Sequence, residues 1–187
     1  NMEWNRHSQN SKNKKTMTSK LNQPDYDLIK KDGKIEIRQY SQYVIAKTSI
    51  KQADIVQNNN MFRTLAGYIF GGNTNNQSIP MTAPVITQNN NSNYDMIFFM
   101  LDAQQPEDLP HPNNPNISLE YMEIGKTISL SFGMWATEKR VNYYKEKLDK
   151  HIKQNQIQIK SSLMVAQYNS PWALPPFRKN ELLYTIK

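Results

Sequence analysis

Residues 62–73 read FRTLAGYIFGGN, and residues 79–85 read IPMTAPV. The first stretch carries apolar side chains at helical spacing, which predicts a core-facing stripe on a helix spanning residues 53–70. The Gly-Gly-Asn run that follows would end this helix, as glycines do at helix C-termini. Two prolines keep residues 79–87 extended but outside the centre of a sheet. The predicted stripe consists of Phe62, Leu65, Ala66 and Ile69.

Outward from this stretch, apolar and polar residues alternate with a period of two, which is typical of half-buried strands. A second helix is predicted over residues 138–154, with Thr137 as its N-cap. Ordered structure should begin near Tyr26, and a turn around Gly33 should precede the first predicted strand. The predicted strands cover residues 34–40, 43–50, 94–101, 117–122, 127–132, 157–168 and 181–186.

Both halves of the chain therefore show the order strand, strand, helix, strand, strand. We predict an α+β fold, a distorted antiparallel β-barrel or curved sheet with two helices, built from a duplicated ββαββ-like half. A curved sheet crossed by helices leaves a concave surface, and small ligands bind in concave surfaces.

Length and composition restrict the possible classes of protein. The 187 residues suit one domain, and the absence of cysteine excludes disulfides, thiolate nucleophiles and cysteine-ligated metals. Residues 1–24 carry five basic side chains against Glu3 alone, so we expect a disordered basic tail followed by a domain over residues 25–187. The alternative is that this tail is a weak tether to nucleic acid or anionic lipid.

No apolar run approaches the roughly 20 residues of a membrane span. With no leader visible, we expect a cytoplasmic protein, or a periplasmic one if a leader was removed before Asn1.

Three stretches taken together resemble the SOUL haem-binding family. They are IEIRQY at residues 35–40, the pair of segments quoted above, and the run from YNSP at residues 168–171 to PPFRKNE at residues 175–181. The resemblance implies a distorted barrel with two helices that binds haem or free porphyrin non-covalently in a surface groove. It also implies that the ligand lies against the first helix, here residues 61–71, and beside the loop at residues 170–178.

The residues of that helix are compatible with such a ligand. Arg63, Gly67 and Phe70 lie at i, i+4 and i+7, away from the core stripe. Gly67 would let a flat ring approach the backbone, Phe70 would contact it, and Arg63 would pair with a propionate. The alternatives are that Gly67 brings the helix close to the sheet and that Arg63 is only solvated. Trp172 and Leu174 would cover the other face of the ring or, alternatively, anchor their own loop. The candidate set also includes Met61, Tyr68, Met81 and Arg178.

Iron ligation has little support in the sequence. His7, His111 and His151 lie outside the first helix and have no spacing typical of a metal site. Met61, Tyr68 and Met81 could ligate weakly, although Met and Tyr are usually packing residues. We therefore expect haem to be held with a weak protein ligand or none, as in a transient carrier or buffer.

Other functions remain open. A sensing or sequestering module, resembling drug-binding regulatory domains, would need a buried carboxylate, for which Glu36, Glu120 and Glu123 are candidates. The chain has no G-x-S-x-G elbow and no cysteine, so we expect no enzymatic activity and no catalytic residues. Because the folded part is only mildly basic, we expect no nucleic-acid partner, and we expect a monomer.

Overall fold

The computed structural model describes residues 20–55, 60–169, 174 and 177–187. The described residues form seven strands, two α-helices and two short 3-10 helices, at Gln52–Asp54 and Pro106–Asp108. In chain order the strands and α-helices are β1 Tyr26–Asp32, β2 Ile35–Lys51, α1 Met61–Ile69, β3 Val85–Asn90, β4 Asn93–Phe99, β5 Ile117–Gly133, α2 Glu138–Gln154, β6 Met164–Gln167 and β7 Lys179–Thr185.

Six of the strands close into an antiparallel barrel. Their order is β2-β4-β3-β6-β7-β5, and β2 pairs with β5 to complete the ring. That closing ladder runs from the Ile35–Leu130 pair to the Thr48–Ile117 pair. The seventh strand, β1, pairs only with β2, through a tight turn in which Gly33 has a φ of +59°. The predicted α+β fold with a distorted barrel and two helices is confirmed.

The duplication is visible in the topology. One half runs β2-α1-β3-β4 and the other runs β5-α2-β6-β7. In each half the last strand lies between the other two, and the halves meet through equivalent strands, β2 with β5 and β3 with β6. Each half thus contains one long strand where the sequence predicted two.

The long strands reverse the direction of their side chains midway. On β2, Ile35 and Ile37 pack under α2, whereas Ile45 belongs to a core cluster to which all six barrel strands contribute. On β5, Gly125 has a φ of +69° and lies opposite Tyr40, close to the position of the reversal. The prediction of separate strands was wrong because a change of phase in the alternation looks like a gap between strands.

Three apolar clusters form the core. The interior cluster fills the barrel, as expected for a barrel with so few strands. A second cluster packs α1 over β2 and β4, and a third packs α2 over β5 and β7. Because β2 and β5 each run beneath both helices, each has to be 17 residues long.

The two helices differ in how well the sequence predicted them. Helix α2 has the predicted bounds, and the Thr137 side chain accepts a hydrogen bond from the Arg140 backbone nitrogen at 3.3 Å. Helix α1 has 9 residues, so the prediction of one helix over residues 53–70 was wrong at its start, where a 3-10 turn ends at Asp54. Residues 56–59 of that prediction lie outside the described part of the chain.

A buried ion pair crosses the barrel interior. Arg38 on β2 forms two hydrogen bonds with the carboxylate of Glu181 on β7, and a third, at 2.7 Å, with Glu36. The Tyr40 hydroxyl accepts a hydrogen bond from the guanidinium at 2.9 Å, and the Ser131 hydroxyl donates one to the carboxylate at 3.2 Å. Burial alone would raise the pKa of Glu181, but the hydrogen bonds and charge of Arg38 lower that pKa below its ordinary value of 4.5.

We expect Arg38→Met to lower the free energy of unfolding by about 3–5 kcal/mol, because it leaves the Glu181 carboxylate buried without its cation. Lys47→Met on the same strand is the matched control. Lys47 bonds Glu120 at 2.7 Å, but both side chains are partly exposed, so a loss below about 1 kcal/mol is expected. Urea denaturation measures the free energy of unfolding of both variants. Equal losses would show that burial of the Arg38–Glu181 pair does not affect its contribution to stability.

Candidate functional site

An apolar cavity of about 410 Å³ lies along one edge of α1. Phe62 and Ala66 of α1 line it together with Phe70, the C-cap residue of this helix, and the spacing of four residues places all three on one side. The opposite walls come from the segment before β3 and from the end of β6. The main residues of these walls are Met81, Ala83, Val85, Gln167, Tyr168 and Asn169.

A polar groove of about 450 Å³, which we call the cationic groove because Arg63 lines it, lies along the other edge of α1. Arg63 and Gly67 line it, and Asn113 and Asn114 form its far side. Since Phe70 and Gly67 are neighbours on the helix surface, the apolar cavity and the cationic groove are separated only by the outward ridge of α1. The arrangement offers an apolar surface and a guanidinium to one ligand.

The residues after α1 hold the end of the helix in place. The Gly72 nitrogen donates to the Gly67 carbonyl at 2.9 Å, and a Cβ at position 72 would lie 2.7 Å from that oxygen. Asn73 is buried, and its amide nitrogen donates to the Tyr68 and Gln77 carbonyls at 3.1 and 2.8 Å. The GGN motif therefore needs glycine for close approach and asparagine for these hydrogen bonds.

The structure brings some of the predicted site residues together. Phe70 and Met81 line the cavity, and Arg63 and Gly67 line the groove. Trp172 lies outside the described residues, while the neighbouring Leu174 is exposed and lines neither space.

Three of the predicted residues are buried, and one of them, Tyr68, also lines the groove. Met61 lies in the core, and the Tyr68 ring packs in the α1 cluster while its hydroxyl donates to the Pro110 carbonyl at 2.8 Å. The Arg178 guanidinium lies 4.2 Å from the centre of the Trp135 ring. Burial lowers the pKa of Arg178, and this side chain lines neither the cavity nor the groove.

Gly67 is exposed, and a Cβ added to it would meet nothing within 4 Å. The alternative in which this glycine brings α1 close to the sheet is therefore wrong. A flat ligand can reach the helix backbone at this position, as the first interpretation required.

Sequence reasoning missed several cavity residues. Phe62 and Ala66 were assigned to the core stripe, although Leu65 and Ile69 alone occupy its deepest part. The signal that could have separated them is the spacing of Phe62, Ala66 and Phe70, which defines a second apolar stripe. Leu21 also lines the cavity, and the Asn22 carbonyl accepts a hydrogen bond from the Ala83 nitrogen at 2.9 Å. The division of the chain at residue 24 stays a prediction.

Tyr168 forms a wall of the cavity but is poorly suited to bind iron as a phenolate. Burial, and then the nearby carboxylate of Glu181, raise the pKa of Tyr168 well above its ordinary value. Its phenol is therefore protonated at neutral pH. Within residues 20–55, 60–169, 174 and 177–187, no histidine lines the cavity or the groove, and no cluster of His, Asp and Glu could hold a metal ion. His7 lies outside those ranges.

Residues 21–185 match the sequence profile described as SOUL heme-binding protein. The chain belongs to this family. The resemblance seen in the sequence is thus confirmed over nearly all of the described chain. The family is described as haem-binding, while the absence of catalysis in this member stays a prediction. No curated protein matches the chain.

Solved structures share the fold of this SOUL protein at low sequence identity. The EcmrR C-terminal domain has a TM-score of 0.60 and 8% identity, covering 87% of this chain and 98% of its own. A hydrolase from Listeria innocua has a TM-score of 0.58 and 10% identity, covering 85% and 94%. At such identities the likeness concerns the fold alone. No described helix of the SOUL protein has the length and apolarity to cross a membrane.

We expect Tyr68→Phe to lower the free energy of unfolding by about 1 kcal/mol, because the buried Pro110 carbonyl loses its donor. The absorption spectrum of bound hemin should stay the same, since the Tyr68 hydroxyl faces that carbonyl. Tyr121→Phe, at an exposed tyrosine of β5, is the control and should change neither quantity. A changed hemin spectrum with unchanged stability would instead place Tyr68 at the ligand.

Proposed function

We propose that this SOUL protein reversibly binds haem or a related tetrapyrrole. One face or edge of the macrocycle lies in the apolar cavity beside α1, and a propionate pairs with Arg63. The observation that carries the proposal is the placement of an apolar cavity and a cationic groove on adjacent sides of one short helix. An amphipathic ring with acidic substituents at its edge matches both surfaces.

The cavity volume supports partial enclosure of the ring. At about 410 Å³ it lies at the low end of the usual range for small-molecule sites, about 300–1,000 Å³. A macrocycle would therefore project over the ridge of α1, where Gly67 leaves the backbone open. This position brings the edge of the ring towards Arg63.

The charge of the site favours an anionic ligand. No carboxylate lines the cavity or the groove among the described residues. Glu36 is paired with Arg38 and Glu120 with Lys47, while Glu123 is exposed. The sensing alternative for amphipathic cations thus lacks a carboxylate that faces either space among the described residues, because the buried Glu181 carboxylate is paired with Arg38, and its remaining support is the likeness of fold.

Binding in this proposal depends on apolar contact and on the propionate pair. Burial of apolar surface contributes about 25 cal/mol per Å², so an iron ligand is not required for affinity. Weak or absent ligation suits a carrier or buffer that releases its cargo. A monomeric state, a cytoplasmic location and the absence of a nucleic-acid partner stay predictions.

The central experiment is a Soret-band titration with hemin and with metal-free protoporphyrin. We expect similar affinities, because the protein contacts the ring and not the iron. Ala66→Trp should abolish the binding of both hemin and protoporphyrin, since Ala66 lines the cavity and an indole there would fill it. Ala53→Trp, at an exposed position outside the cavity, is the matched control and should bind normally. Normal binding by Ala66→Trp, once circular dichroism shows it folded, would remove the cavity from the proposal.

Arg63→Ala should weaken the binding of hemin about tenfold, because a charge-assisted hydrogen bond contributes about 1.5 kcal/mol or more. The dimethyl ester of protoporphyrin, which lacks the carboxylates, should bind the variant and the parent equally. Lys150→Ala removes one positive charge from the exposed face of α2 and controls for net charge. If both variants lose affinity equally, the effect is a general electrostatic one and Arg63 is not in the site.

A further inference from the structure

Four large apolar side chains project from two neighbouring loops at one end of the barrel. Met134 and Trp135, between β5 and α2, are 43% and 44% exposed. Leu174 and Phe177, between β6 and β7, are 66% and 77% exposed. We call these four residues the apolar tips. Monomeric proteins seldom group such side chains without a binding role.

Several contacts join the β5–α2 loop to the residues at the start of β7. Gly133 pairs with Lys179 at the ends of β5 and β7. The Asn180 amide nitrogen donates to the Met134 carbonyl at 2.7 Å, and Arg178 lies over the Trp135 ring. Met134 has a φ of +67°, a conformation that turns the chain sharply at this tip. These contacts hold Met134 and Trp135 against the start of β7.

The surroundings of the apolar tips are mainly basic. Lys139 and Arg140 lie in the first turn of α2, and the Arg140 guanidinium donates to the Gly133 carbonyl at 3.0 Å. Lys179 lies in register with Gly133 on the other side. Glu138 is the carboxylate in the same turn of α2. Apolar side chains framed by cations suit the boundary between acyl chains and anionic headgroups.

We propose that this end of the molecule attaches the protein to the surface of an anionic lipid bilayer. Tryptophan and phenylalanine side chains enter the interface one by one and need no complementary pocket. A single-stranded nucleic acid, the other partner with anionic charge, would need open aromatic faces for base stacking. One face of the Trp135 ring is already covered by the Arg178 guanidinium, which favours the bilayer.

The apolar tips lie close to the ligand cavity, so the purpose of attachment to a membrane would be transfer of the ligand. Asn169 lines the cavity, and its side-chain oxygen accepts a hydrogen bond from the Lys179 backbone nitrogen. The cavity edge and the basic frame thus meet at one residue pair. An apolar ring leaving a membrane would reach the cavity without crossing much water. This purpose rests on the proposed tetrapyrrole binding, whereas attachment to lipid does not.

The test is co-sedimentation of the full chain, free of tetrapyrrole, with vesicles. Vesicles of phosphatidylcholine with about one third phosphatidylserine should bind the protein, and vesicles of phosphatidylcholine alone should bind it far more weakly. Raising the salt from about 0.1 M to about 0.5 M should weaken the binding, because the headgroup charge is then screened. Absence of binding to the anionic vesicles, or binding equal to that of neutral ones, overturns the proposal.

Variants assign the binding to the apolar tips. Trp135→Ala combined with Phe177→Ala should weaken vesicle binding about tenfold or more. Lys139→Glu should weaken it about fivefold through charge alone. Tyr121→Ala removes an aromatic of similar exposure at the far part of β5 and should bind like the parent. Unchanged binding of the double variant overturns the proposal, as does tighter binding of the parent to a single-stranded oligonucleotide than to anionic vesicles.

Hemin titration of the Lys139→Glu variant separates the two proposals. Its hemin affinity should equal that of the parent, because Lys139 lines neither the cavity nor the groove. A protein that binds vesicles but not hemin would refute tetrapyrrole binding and keep the lipid surface. A protein that binds hemin but not anionic vesicles would refute the lipid surface and keep tetrapyrrole binding.

Discussion

The barrel depends on one charged pair that joins strands which are not neighbours. Arg38 on β2 reaches Glu181 on β7 across β5, and the side chains between them on β5 are small. Thr127 and Ser129 are fully buried there, and the Ser131 hydroxyl completes the hydrogen bonds of the carboxylate. A buried pair of this kind costs desolvation energy, so its satisfied hydrogen bonds are what make it tolerable. The pair thus links β2 to β7, two strands that share no ladder.

Closure of the barrel determines where a ligand can bind. The interior is occupied by side chains from all six strands and by the charged pair, which leaves no described space for a macrocycle. The outer surface of β5 and β7 is covered by α2, which has 17 residues and stacks Tyr144 on Phe132 at 4.6 Å. The surface near α1 is different because that helix has only 9 residues. A space therefore remains between α1, the segment before β3 and the end of β6.

Local patterns predicted the parts of this fold that local physics determines. Helix α2 has both an apolar stripe and an N-cap, and its bounds were correct. The long strands were divided because the alternation reverses near Tyr40 and near Gly125, and only the position of two helices over one strand explains that reversal. The predicted start of α1 was wrong because apolar spacing alone does not show where a helix begins. Phe62 and Ala66 of the second apolar stripe were assigned to the core because periodicity shows which residues share a face but not what covers it.

The asymmetry between the halves explains how a duplicated scaffold can carry one ligand site. Equivalent strands join the halves in equivalent ways, so the sheet itself treats both helices alike. The difference comes from the helices and the segments that follow them. After α1, two glycines and the buried Asn73 turn the chain sharply, and Met81 and Val85 then form the far wall of a cavity. After α2, Ile157 and Leu163 pack against the third cluster, and the cavity beside Ile157 is smaller, about 210 Å³, with charged Lys30 and Asp32 in its lining. A short helix, an early turn and an extended proline-containing segment thus convert one of two similar faces into a place where an apolar ring can lie.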